Sequence, residues 1–206
     1  MAKLNAEVDT TTARHYRVRG YPTILVLNEK GEEIDRVVGY YRSPEFISQV
    51  EDYIVGRNTL SSMIAEEPSK KGDPEFIYKL ADRFADHGLP DESRKRFLVF
   101  VTLDPKNVSG KVDDALYRLA RMARSDHDYA SDRKYAAMII DRYPDSDMYR
   151  SAILELGQGY RKDGQLEKGL QIFSNFAKRF PDDEDAPWAR EQADTLAAQI
   201  AAKHSS

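Results

Sequence analysis

The chain has 206 residues, with 31 Lys and Arg against 35 Asp and Glu, and a formal net charge of −4. That near balance argues against a strongly basic nucleic-acid binder, and a hydrophobic content of 41% argues against a disordered acidic tail. Cysteine is absent, which excludes disulfides, thiolate metal sites and thiol catalysis by these residues; the longest apolar run, Ile24 to Leu27, is too short to span a membrane.

In chain order, Ala2 to Ala6 is a short strand candidate, and Met1 to Val8 lacks the apolar stretch of a signal peptide. Thr10 to Arg17 carries good helix formers, with Thr10 to Thr12 able to cap it. Thr23 to Asn28 is an apolar strand run, Glu29-Lys30-Gly31 a turn, and Glu33 to Tyr40 a second strand with Ile34, Val37 and Val38 apolar. Ser43 is a suitable N-cap with Pro44 at the first helical position. Phe46, Ile47, Val50, Tyr53 and Ile54 then share one helix face, which Gly56 terminates. Residues 57–72 include Glu66-Glu67-Pro68-Ser69-Lys70-Lys71-Gly72, whose charge, proline and glycine suggest a mobile linker.

From Asp73 the strand signal gives way to helical periodicity that repeats. Pro105, Pro144 and Pro181 each follow a helical stretch and lie 39 and 37 residues apart. Leu80, Ala81 and Phe84 pair with Ser93 and Phe97; Leu116, Leu119, Ala120 and Ala123 pair with Ala136 and Ile139; Leu156, Gly157 and Tyr160 pair with Gly169 and Phe173. These large and small positions resemble the tetratricopeptide (TPR) repeat, a helix pair of about 34 residues closed by a proline. The middle pair fits less well, because its start near Lys111 leaves a longer loop. Pro187 to about Lys203 reads as a closing helix.

Val18-Arg19-Gly20-Tyr21-Pro22-Thr23, the Gly31 turn and Val38-Gly39, in the order strand, helix, loop, strand, strand, helix, resemble the second half of a thioredoxin domain over residues 2–56. The resemblance implies a cis Tyr21–Pro22 bond and a loop, Gly20, Tyr21, Pro22 and Thr23, that grips an extended substrate segment. It also implies that the family's Cys-x-x-Cys half would lie before Met1, making this chain a redox-inactive C-terminal fragment. The expected architecture is therefore α+β: half a thioredoxin-like domain at 1–56, a linker at 57–72 and an all-α TPR-like solenoid at 73–203. The strand at Ile24 to Leu27 would then offer an open apolar edge, able to take up residues 2–6 or a second copy of the chain.

Other candidate sites have plainer explanations. His15, His87, His127 and His204 share no metal-ligand spacing. Asp182-Asp183-Glu184-Asp185 lacks the glycine and alternation of a calcium loop and suits a helix start. Arg118, Arg121 and Arg124 recur on one side of a helix and read as a solvated face. Of twelve tyrosines, Tyr117, Tyr129, Tyr135, Tyr143, Tyr149 and Tyr160 fall in the repeats, where most should pack between helices and one or two line a binding face. No cofactor or metal is expected, no nucleic-acid or membrane partner, and the compartment is left open. The partner expected is a protein client held by the TPR-like repeats. The function that follows is client recruitment for a thioredoxin-like thiol–disulfide oxidoreductase, or alternatively a non-redox adaptor or co-chaperone built on the same scaffold.

Overall fold

Asp9 sets the first element. In the computed structural model, which describes residues 3–204, its carboxylate accepts the Thr12 N–H at 2.9 Å and so caps α1 (Thr10–His15). Residues 3–6, expected to continue a strand from Ala2, are irregular, and Ala2 itself lies outside the described residues. The reason is local: Asn5 accepts the N–H of Glu7 on its side chain and those of Val8 and Asp9 on its carbonyl, which curls the backbone into a turn.

β1 (Thr23–Leu27) and β2 (Glu33–Val38) form an antiparallel hairpin, with Ile24 opposite Val37 and Val26 opposite Asp35. Both strands are shorter than the sequence suggests. Asn28 leaves the ladder because its side-chain oxygen accepts the N–H groups of Lys30 and Glu32, and Gly39 breaks the second strand at φ +93°. Among the described residues β1 pairs with β2 alone. One face of the hairpin packs on α2 (Ser43–Ile54), where Val26, Val37 and Tyr53 form a small core with Phe46 and Val50 at its edge. The cap of α2 falls on Arg42, and Ser43, expected there, is its first residue.

The stretch 57–72, expected to be a mobile linker, contains α3 (Leu60–Lys70), with Pro68 inside it. Thr59 caps this helix through its hydroxyl, which accepts the Ser62 N–H at 3.1 Å, and Leu60 and Met63 are buried. A capped start and two buried side chains outweigh the charge and proline that argued for a loop.

The rest is all helix: α4 (Pro74–Asp86) with α5 (Pro90–Leu103), α6 (Val112–Ser125) with α7 (Tyr129–Arg142), α8 (Met148–Lys162) with α9 (Leu166–Arg179), and the closing α10 (Ala186–His204). The α+β architecture is thus a two-stranded start followed by a helical solenoid. The spacing of the sequence pattern is met side chain by side chain. Leu80, Ala81, Phe97, Ala120, Ala136, Ile139 and Phe173 are all buried, whereas Leu156 and Tyr160 are half-buried. The long loop before α6 is held by Asp104, whose carboxylate accepts the N–H groups of Val108 and Ser109.

Residues 1–103 and 104–206 form two compact units, so α4 and α5 belong with the hairpin. In the first, Tyr78 lies edge-on to Phe97 and Phe100. In the second, Leu154, Leu166, Phe173, Phe176 and Leu196 make a continuous core.

Candidate functional site

The loop Gly20, Tyr21, Pro22 and Thr23 leads into β1, and its Tyr21–Pro22 bond is cis. The Thr23 hydroxyl donates to the Gly20 carbonyl at 2.7 Å and the Gly39 N–H to the Pro22 carbonyl at 2.9 Å, which fixes the loop against the end of β2. The Tyr21 side chain is 66% exposed.

Beside the hairpin lies a buried charged cluster. Asp35 on β2 is fully buried. Its Oδ1 accepts the Arg36 N–H at 2.6 Å, the Arg83 guanidinium and His87 Nε2 at 2.9 Å, while Oδ2 accepts the Leu60 N–H at 2.6 Å. Arg83 also donates to the Arg36 carbonyl at 3.0 Å and lies over the Tyr53 ring. Arg36 in turn pairs with Glu33 and donates to the Tyr16 carbonyl. One carboxylate thereby joins β2, the start of α3 and the end of α4. His87 is held down to about 4 by burial first and by the Arg83 charge next. The nearby Asp35 charge, already committed to four donors, does not reverse this. The Asp35 carboxylate is answered on both oxygens, Arg83 Nε alone of its guanidinium nitrogens lacking a partner, and the cluster holds the unit together.

The second unit holds buried charge of a different kind. α6, α8 and the start of α10 enclose an open cleft of about 250 Å³, lined among others by Tyr117, Arg124, Glu155, Gln158, Asp185 and Trp188. Glu155 is 4% exposed, and Asp132, on α7 behind it, is fully buried. Arg124 Nε stands 3.2 Å from Glu155 Oε1 as an ion pair, yet that oxygen accepts no hydrogen bond. Neither oxygen of Asp132 finds a donor, nor does Gln158 Oε1. Two facing carboxyl groups can hydrogen-bond only while one is protonated. Burial first, and the Glu155 charge next, push Asp132 up to about 7; burial likewise raises Glu155, with Arg124 opposing. Gly159 makes this approach possible, because a Cβ there would stand 2.6 Å from Asp132 Oδ2.

Of the arginines read as a solvated face, Arg118 and Arg121 are exposed, but Arg124 turns into the cleft. That reading is corrected for Arg124 by the buried carboxylate across from it. Tyr117 is the tyrosine that lines the cleft. The acidic run 182–185 precedes α10, with Asp183 bound to Arg150 and Asp185 at the cleft rim. His15 and His127 are exposed, and His204 ends α10. Among the described residues no three His, Cys, Asp or Glu side chains are grouped to hold a metal. No helix among them is long and apolar enough to cross a membrane.

Asp35, Asp132 and Glu155 were not singled out from the sequence. For Asp132 the signal was present: it interrupts an apolar stripe, four residues before Ala136 and seven before Ile139 on α7. A charge on a buried stripe is the pattern that could have identified it, whereas Asp35 shares its strand face with Glu33 as well as Val37 and offers no such contrast.

Comparison with known proteins agrees with this architecture. Residues 3–54 match the model of a thioredoxin-like domain and residues 151–183 that of a tetratricopeptide repeat. No curated protein matches the chain. Among solved structures, the chain is similar to a Podosopora anserina protein with nearly identical TPR-like repeats, at TM-score 0.58 and 10% identity over 78% of this chain and 83% of that one. It is also similar to MamA, at TM-score 0.52 and 14% identity over 82% of this chain and 100% of that one. A MamA RS-1 double mutant matches at TM-score 0.52 and 20% identity over 79% and 95%. The chain therefore carries a thioredoxin-like segment and TPR-like repeats, a combination that suggests a protein-interaction role.

Proposed function

We propose that this chain is the client-binding part of a thioredoxin-like thiol–disulfide oxidoreductase, with its TPR-like repeats recruiting a client or partner protein. The observation that carries this reading is the cleft on the face of α6, α8 and α10. It combines two aromatic side chains with buried polar groups that lack partners, as a recognition site does and a packed helix face does not. The loop Gly20, Tyr21, Pro22 and Thr23 is a second client contact by its likeness to the thioredoxin substrate loop, and the exposed Tyr21 supports it. With no cysteine, these residues supply no attacking thiolate, so thiol exchange by the chain itself is absent. In the alternative, the thioredoxin-like segment is scaffold only and the chain is an adaptor or co-chaperone; the buried Asp35 cluster, which makes that segment structural, favours it.

The test is direct binding. Trp188 is the sole tryptophan and lines the cleft, so its fluorescence reports occupancy. A library of capped peptides of varied composition should contain members that shift its emission saturably, compete with one another and lose affinity in Tyr117→Ala. A library without a saturating member overturns the reading. In an insulin-reduction assay with dithiothreitol the chain should match the buffer blank; turnover above the blank would contradict its redox inactivity.

A further inference from the structure

Resting on that protein-binding reading, we infer that the cleft between α6, α8 and α10 is a receptor for a single cationic side chain, an arginine presented by an extended client peptide. The cleft, at about 250 Å³, lies below the usual range of about 300–1,000 Å³ for small-molecule sites, and suits one long side chain. Two acceptors of its lining residues, Glu155 Oε1 and Gln158 Oε1, are buried and accept no hydrogen bond, the first being ion-paired to Arg124 at 3.2 Å. Of its lining residues Arg124 is the cation, against Glu155 and Asp185, with Asp132 behind Glu155. The charge complement wanting there is positive.

A guanidinium answers all of this at once. It brings five donors in a plane, enough for Gln158 and for the two carboxylates of the lining, Glu155 and Asp185. Its faces stack on aromatic rings, and Tyr117 and Trp188 supply two. Trp188 is itself fixed, packed edge-on against Phe173 at 5.5 Å between ring centres, so the aromatic wall exists before any ligand arrives. An acidic peptide would meet Glu155 and Asp185 with like charge, and an apolar one would leave the acceptors buried without partners.

Arrival of a cation also changes the carboxyl pair behind the cleft. Burial raises both Asp132 and Glu155, and the Glu155 charge raises Asp132 further, to about 7, against the opposing cations Arg124, Arg121 and Arg133. A second cation beside Glu155 favours both charged forms, so the bound complex releases a proton from the pair into solvent.

The experiment titrates the full chain with capped acetyl-Gly-Ala-Arg-Ala-Gly-amide, its citrulline counterpart of the same shape without charge, and its glutamate counterpart. Trp188 emission and calorimetry are the readouts. The arginine peptide should bind about ten-fold or more tighter than the citrulline peptide, and Glu155→Gln should erase that difference. The binding heat near pH 7 should differ between buffers of different ionisation heat, reporting the released proton. Should Glu155→Gln fail to fold, Asp185→Asn at the exposed rim should still weaken the arginine peptide several-fold in the same direction. Equal binding of the arginine and citrulline peptides, or tighter binding of the glutamate peptide, overturns the arginine receptor and leaves peptide binding standing. No saturable response to any of the three overturns the receptor, and the peptide library then decides whether protein binding falls with it.

Discussion

Asp35 and Asp132 are both fully buried carboxylates, one in each unit, and their surroundings could hardly differ more. Asp35 receives two backbone N–H groups, a guanidinium and an imidazole. Asp132 receives no donor and faces a second acid, and Arg124, the cation that acts on it most, is paired with Glu155. A buried charge surrounded by its complement is part of how a fold holds together; a buried charge without one is unfavourable for folding and is kept where something else uses it. The comparison assigns the first unit's cluster to architecture and supports the proposal that the second unit's acid pair belongs to the client-binding cleft.

The sharpest way to break this contrast is a matched pair of substitutions. Asp35→Asn leaves Arg83 buried with only its longer pair to Asp86 and should cost about 3–5 kcal/mol, comparable to Phe97→Ala or Phe173→Ala in the cores. Asp132→Asn removes an unsatisfied charge and should stabilise at pH 8 by about 1–2 kcal/mol. Hydrogen exchange, read on the β2 amides for the first and the α7 amides for the second, assigns each effect to its unit. Opposite signs sustain the comparison; the same sign refutes it.

Acidification should separate the units next, and in opposite directions. Unfolded His87 takes up a proton below its ordinary 6.5, whereas folded His87, among Glu33, Asp35, Arg36, Arg83 and Asp86, does so only near 4. Stability of the first unit is therefore full above pH 6.5 and declines by about 2–3 kcal/mol as the pH falls toward 4. His87→Gln should flatten that slope. In the second unit, folded Asp132 keeps its proton up to about 7, whereas unfolded Asp132 loses it near 3.8. Its contribution is full below pH 3.8 and is lost, by about 1–2 kcal/mol, as the pH rises toward 7. Exchange rates of the two sets of amides between pH 4 and 7 should diverge accordingly. The smallest effect is expected from Gly159→Ala. Its Cβ crowds Asp132 Oδ2, and this outweighs the better helix propensity of alanine for a net cost of about 1 kcal/mol by thermal melting.

Much of this fold was legible where physics is local. The apolar run at Ile24 to Leu27, the glycine after Lys30 and the apolar stripes through Leu80, Leu116 and Phe173 each specify their element with near neighbours. The ends of elements were less legible, because Asn5 and Asn28 bend the backbone with side-chain hydrogen bonds that periodicity does not register. The α3 helix was hidden by Pro68 and the charged residues around it, and what secures its start is Thr59 together with Asp35, distant in sequence. The cleft was legible only in its tyrosine. Arg124 looked like any surface arginine, and nothing near Glu155 in sequence announces Asp132 on the neighbouring helix. Charge pairing between elements is a property of the assembled chain, and a single sequence records it only as a polar residue out of place.

The Asp35 cluster also decides which pieces of this chain can be exchanged. By repeat pattern α4 opens the solenoid, and a border drawn at residue 73 looks natural. On that side of the border, however, Arg83 has a counter-charge and His87 a hydrogen-bond partner on β2, both in Asp35. A solenoid transplanted from residue 73 onward would carry two basic side chains shaped for an acid left behind, and a hairpin moved without α4 would carry the orphaned acid. In this protein the portable piece ends after α5, so recombination that respects the repeat boundary would break what the charges have joined.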